Sequence, residues 1–243
     1  MMAVRPQARI LSAYAAPILL GLVVGAAGLA PWVVMAPLNA RVRPDIPWAA
    51  AATLLYLILY LAWLNGAGPP RRWKAARRYR LRLWRPSSAG WSKEGIGVTL
   101  SLMAAIGVLA LLWIIVGAPE RPPDLSPYPT TAYLVSVVLM TPLVAGVTEE
   151  AAYRGYMQRG LERFGGGTAI VVSALVFALA HGVHGLQTLV LLGPGIFFAG
   201  LIYGALARHT GSILPGMLLH FLGDLAYTYF GLLGGDWRLL VIL

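Results

Sequence analysis

Seven apolar runs dominate the chain, at about 11–36, 48–64, 95–117, 131–163, 168–184, 186–207 and 213–235, with short polar connections between them. A membrane helix needs roughly 20 apolar residues, so the pattern predicts an all-α fold: a polytopic transmembrane bundle of seven or eight helices. Residues 1–243 form one domain, because the connections are too short to fold separately. The first run has the outline of a signal peptide, with Arg5 and Arg9 ahead of an apolar stretch and Gly28-Leu29-Ala30 as a cleavage-like site. Pro31 would follow the scissile bond and disfavour cleavage, so an uncleaved first helix is expected.

Composition sharpens this reading. Hydrophobic residues make up 58% of the chain and charged residues 12%, with a mean hydropathy of +0.72, outside the range of soluble domains. Cysteine is absent, which excludes a disulfide framework, a thiolate metal site and a cysteine nucleophile.

The net charge of +10 is concentrated between the second and third runs, where residues 71–85 hold eight Lys and Arg and no acid. With that loop and the N-terminus in the cytoplasm, 14 of the 19 basic residues are cytoplasmic and four lie outside, with Arg154 in the membrane. A juxtamembrane polybasic stretch interleaved with Trp73, Tyr79 and Trp84 suits anionic lipids, as an interfacial helix, and not nucleic acid.

Most acids, namely Asp45, Glu94, Glu120, Asp124, Glu162 and Asp236, lie in or beside loops. Glu149, Glu150 and Asp224 lie inside apolar runs, as do Arg154, His181 and His220. Each central charge costs about 2.5 to 3.5 kcal/mol, so three or four cost on the order of 10 kcal/mol before pairing. Such pairs can merely glue helices, but a cost of that size favours function. Counted from the turn Gly165-Gly166-Gly167, Glu149 and His181 lie roughly 22 to 26 Å along antiparallel helices, and His220 and Asp224 roughly 13 to 20 Å along the last one. Glu150 with Arg154, Phe177 with His181, and His220 with Asp224 are i,i+4 pairs. Pairing of Glu150 to Arg154 would leave Glu149 freer to exchange a proton.

At these residues the chain resembles the CPBP intramembrane proteases, which include the CAAX prenyl endopeptidases and the Abi proteins. The EExxxR motif is met by Glu149, Glu150 and Arg154, FxxxH by Phe177 and His181, and HxxxN/D by His220 and Asp224. The resemblance covers about 131–231. It implies an endopeptidase in which Glu149 activates water, His181 helps to hold that water or a metal, His220 and Asp224 complete the site, and Glu150 and Arg154 support it. The bacterial type implies a prokaryotic plasma membrane, and the substrate implied is a peptide or protein, prenylated or otherwise membrane-anchored. A Zn²⁺ or other divalent metal on Glu149, His181, His220 and Asp224 is one expectation and a metal-free scheme the other. Asp224 favours metal ligation or orientation of His220, since an ionised carboxylate cannot donate to an oxyanion as asparagine can.

No HExxH is present, Phe221 stands where a GxGD site needs its first glycine, and Ser212 lacks a GxSG context, so other intramembrane protease chemistries are disfavoured. Two rival functions remain: a proton-coupled transporter, for which no repeat of the EExxxR segment exists, and a non-catalytic scaffold of the same fold. Gly200 to Gly204 reads as an internal packing motif. His184 reads as a solvated or capping helix-end residue and His209 as a loop residue. Gly193-Pro194-Gly195 is expected to break the sixth run, and the cavity to face the cytoplasm.

Overall fold

A computed structural model describes residues 6–83, 92–117 and 127–233. Arg5, Trp84, Arg85, Glu120, Asp124 and Asp236 lie outside the described residues. Among the described residues there are eight helices: α1 (Pro6–Val42), α2 (Trp48–Leu64), α3 (Lys74–Leu81, entered through a 3₁₀ turn at Arg71–Trp73), α4 (Lys93–Gly117), α5 (Thr131–Phe164), α6 (Gly166–Ala180, continued by a 3₁₀ turn at His181–His184), α7 (Leu186–Thr210) and α8 (Leu214–Leu233). Within the described residues each of the seven apolar runs is helical. Among the described residues four segments are long and apolar enough to cross a membrane: Ala13–Val42, Thr131–Phe164, Gly166–His184 and Leu189–Thr210. The chain is an integral membrane protein. Leu54, Leu55, Ile58 and Leu59 of α2 are exposed, as suits a surface solvated by hydrocarbon.

Small residues set the approach of α1 to α5. A Cβ on Gly21 would come within 2.7 Å of Met157, one on Gly25 within 3.2 Å of Ala152, and one on Gly28 within 2.5 Å of Thr148. Without a hydrophobic drive between helices in lipid, such close contact supplies the attraction. Hydrogen bonds add to it: Tyr60 and Tyr56 of α2 donate to the Val24 and Ala27 carbonyls of α1, and Trp32 Nε1 donates to Thr141 Oγ1 of α5. Farther on, α5 packs along α8 and α6 along α7. Gly146 fixes the first pair, since its Cβ would sit 3.0 Å from the Met217 carbonyl and the Phe221 amide. Gly200 fixes the second against Ala174, and Gly204 abuts Gln158 and Ile170. The GxxxG motif is therefore an internal contact, as expected.

Two sequence expectations fail here. Gly193-Pro194-Gly195 does not break the helix: α7 runs unbroken from Leu186 to Thr210 with Pro194 inside it. Proline removes one helical hydrogen bond, a loss tolerated in a membrane where the segment lines a cavity, as Gly195 does. His209 is not a loop residue. It lies in the last turn of α7, and its Nε2 is 2.9 Å from the Gly95 carbonyl.

The basic segment folds as the expected short helix, but its cations are not equivalent. Arg77 is buried, donates to the carbonyls of Pro69, Ala67 and Gly68, and lies over the Trp63 ring. Arg82 is buried in an ion pair with Glu162, which also pairs with Arg159. Burial pulls the Arg82 guanidinium below its ordinary value, and Glu162 opposes that shift.

Candidate active site

Halfway along α5 the helix widens. Glu150–Met157 is a π-helix, buried along its whole length, and irregularities of this kind recur at functional sites. Glu149 closes the α-helical part and Glu150 and Arg154 lie in the π turn. No composition signal marks the change.

Arg154 is fully buried and caged by aromatic rings. Its guanidinium carbon is 4.2 Å from the centroid of Phe177, 5.1 Å from Tyr203 and 5.9 Å from Tyr153. Nη1 lies 3.0 Å from Glu150 Oε1, close enough for an ion pair but not aligned as a hydrogen bond. Charge neutralisation and the ring faces, more than directed hydrogen bonds, compensate this cation.

Glu150 also reaches α8. His220 Nδ1 lies 3.2 Å from the same Oε1, and since a carboxylate accepts, Nδ1 is the donor. That contact turns Nε2 toward Glu149 Oε2 at 3.6 Å and Asp224 Oδ2 at 3.5 Å. Tyr203 stacks on the imidazole at 5.2 Å with an interplanar angle of 12°, and Phe177 meets it edge-on at 6.0 Å. His220 is thus held on three sides. The sequence leaves Asp224 either metal ligation or orientation of His220; in the structure Glu150 lies on Nδ1 of the ring, and Asp224 lies 3.5 Å from Nε2 with 43% of its side chain exposed.

His181 caps α6. Its Nδ1 is 2.9 Å from the Phe177 carbonyl, which can only accept, so the proton sits on Nδ1 and Nε2 is left as an acceptor. Phe177 therefore serves both histidines and Arg154. His184 is one turn farther, with ring centroids 6.3 Å apart, and lies off the cavity wall.

A cavity of about 380 Å³ joins these groups, with Glu149, His181, His220 and Asp224 all on its wall. Thr141, Leu192, Ile196 and Tyr227 continue the wall away from the motif residues. Those positions lie toward the end of the bundle where α5 begins and α8 ends, opposite the basic segment. The basic side is closed by Glu150, Arg154 and Gln158, all with zero exposure.

The donors suit a metal in chemistry, but among the described residues no three His, Asp or Glu side chains are placed to hold one. What the arrangement does offer is a buried carboxylate oxygen, Glu149 Oε2, that has no hydrogen-bond partner within the protein and faces an imidazole nitrogen.

Sequence reasoning missed Tyr203 and Gly216. Tyr203 is the one tyrosine in the apolar run of α7, which was the signal available for it. Gly216 had none: a Cβ there would lie 2.7 Å from Glu150 Oε2.

Residues 131–226 match the family model described as type II CAAX prenyl endopeptidase Rce1-like. The match begins at α5, ends within α8 and takes in every residue of the three motifs. No curated protein and no solved structure matches the chain.

Proposed function

From the match of residues 131–226 to the type II CAAX prenyl endopeptidase Rce1-like family model, we propose that the chain is an intramembrane endopeptidase of the CPBP/CAAX protease family that hydrolyses a peptide bond with a water activated by Glu149. The observation that carries this reading is the unpartnered Glu149 Oε2, 3.6 Å from His220 Nε2 on the wall of the cavity. A water between them donates to the carboxylate and is aimed by the imidazole. Glu149 takes one proton as the oxygen attacks the substrate carbonyl. The tetrahedral intermediate then collapses, and the proton held by Glu149 passes to the leaving amine as the C–N bond breaks. Glu150 fixes the His220 tautomer, and Arg154, 3.0 Å from the same carboxylate oxygen, holds Glu150 in place.

The walls formed by Leu192, Ile196, Ala199 and Tyr227 suit a peptide with apolar side chains or a lipid-modified end. The chain spans a prokaryotic plasma membrane seven or eight times with its N-terminus in the cytoplasm, in keeping with the distribution of Lys and Arg.

The test is cleavage of a quenched peptide library, with prenylated and unprenylated members, by the protein in lipid. Glu149→Gln keeps the shape and removes the base, so cleavage should fall by about 10²- to 10⁴-fold. Retained cleavage in that variant would overturn the assignment. If wild type cleaves nothing, the scaffold reading gains. A chelator arm with Zn²⁺ readdition reads out the alternative in which Glu149, His181, His220 and Asp224 hold a divalent ion that polarises the carbonyl.

A further inference from the structure

The basic segment contains two kinds of cation. Arg77 and Arg82 turn inward to backbone carbonyls and to Glu162. Arg71, Arg72, Lys74 and Arg78 are exposed and line a shallow depression together with Ala75. Residues 71, 74, 75 and 78 fall on one helical face, and with Arg72 on the rim of the same depression four positive charges converge on one spot. Among the described residues none of the four forms an ion pair. Trp73, 51% exposed, stands beside them with the Arg72 guanidinium 5.0 Å from its ring.

We propose that this depression is a binding site for the phosphate of an anionic phospholipid headgroup. Four like charges held together on a firmly anchored helix call for a multivalent anionic surface, and in a membrane protein the nearest is the headgroup layer. An exposed tryptophan next to the cluster is a side chain that settles at that interface. The inward pair makes the platform rigid: Arg77 and Arg82 tie the helix down, so the four outward cations need little further ordering to bind.

The site has a line of contact to the helices that carry the motifs. The Leu81 and Arg80 carbonyls lie 3.1 and 3.5 Å from where a Cβ on Gly155 would be, against the π turn of α5. The Arg82 carbonyl accepts from the Ile213 amide at 3.0 Å and the Leu83 carbonyl from Ser212 Oγ at 2.7 Å, at the start of α8. A bound headgroup therefore stabilises the segment that clasps α5 to α8.

The test compares wild type with the variant Arg71→Gln/Arg72→Gln/Lys74→Gln/Arg78→Gln by native mass spectrometry in detergent, with added phosphatidylglycerol or phosphatidylcholine, and by thermal unfolding of the same samples. Wild type should retain phosphatidylglycerol preferentially and unfold at a higher temperature in its presence. The variant should bind it at least about tenfold more weakly and lose the thermal shift, while unfolding as wild type does in phosphatidylcholine. Equal retention of the two lipids by wild type, or undiminished phosphatidylglycerol binding by the variant, overturns the proposal. A soluble poly-glutamate peptide that displaces phosphatidylglycerol and gives the larger thermal shift would point to an acidic protein partner and overturn it as well. The milder variant Arg71→Gln/Arg72→Gln guards against a folding defect and should show an intermediate loss. None of these readouts depends on peptide cleavage.

Discussion

Glu150 is the residue on which the site's electrostatics turn, because a single oxygen faces both Arg154 at 3.0 Å and His220 at 3.2 Å. Removing one partner of a buried pair leaves an uncompensated charge and costs about 3 to 5 kcal/mol. Glu150→Gln should therefore lower the unfolding free energy measured in detergent by that order. Glu150→Leu/Arg154→Met, which removes both charges, should recover most of the stability and none of the cleavage. If the double variant is as unstable as the single one, the cost comes from packing and not from charge. Gly216→Ala addresses the same carboxylate from the far side, where the added Cβ meets Oε2 at 2.7 Å. Overpacking of this kind costs about 1 to 3 kcal/mol, and the displaced carboxylate should release His220, so cleavage is expected to fall more than stability does. The i,i+4 pairing of Glu150 with Arg154 was legible in the sequence. The reach of Glu150 to His220 was not, because it depends on how closely α5 and α8 approach, and that distance is set by a glycine with no chemistry of its own.

At the scale of elements, the helices were legible and the π turn was not. Long apolar runs declare themselves through hydrophobicity, but Glu150–Met157 has ordinary helical composition, and its i→i+5 bonding answers to packing. The α1 glycines meet Thr148, Ala152 and Met157, positions spaced by four and then by five. In a regular α-helix a step of five turns the side chain well off the face; the wider turn keeps Met157 against Gly21. A substitution at Gly146 tests how far the site depends on helix approach. Its Cβ would lie 3.0 Å from backbone atoms of α8, which cannot swing aside as a side chain can. Gly146→Ala should push Glu149 away from His220, with cleavage reduced by at least about tenfold, each 1.4 kcal/mol of misplacement being worth that factor. Gly97→Ala on α4, where a Cβ meets nothing within 4 Å, is the control and should be neutral or stabilise by about 0.5 to 1 kcal/mol. Equal effects at the two positions would show that helix approach does not control the site.

For the whole molecule, two expectations that agreed in the sequence separate in the structure. The Lys and Arg distribution puts the basic segment in the cytoplasm, and water access suggested a cavity facing the same side. Yet the cavity wall continues through Thr141, Leu192 and Tyr227 toward the opposite end, while Glu150, Arg154 and Gln158 seal the basic end. Sequence could not reveal this, since the same four motif residues serve a cavity opening either way; which end is open depends on where bulky and small side chains fall in three dimensions. The absence of cysteine makes the question accessible through single-cysteine variants. Lys74→Cys marks the exposed basic helix and Thr228→Cys the cavity wall near the far end of α8. A membrane-impermeant maleimide should label Lys74→Cys only in inverted vesicles, as the positive-inside rule requires. Thr228→Cys should react in right-side-out vesicles, and its labelling should slow when a cleavable peptide occupies the cavity. Labelling of both positions from one side would mean that water and substrate reach Glu149 past the buried ion pair, and that the seal formed by Glu150, Arg154 and Gln158 opens during turnover.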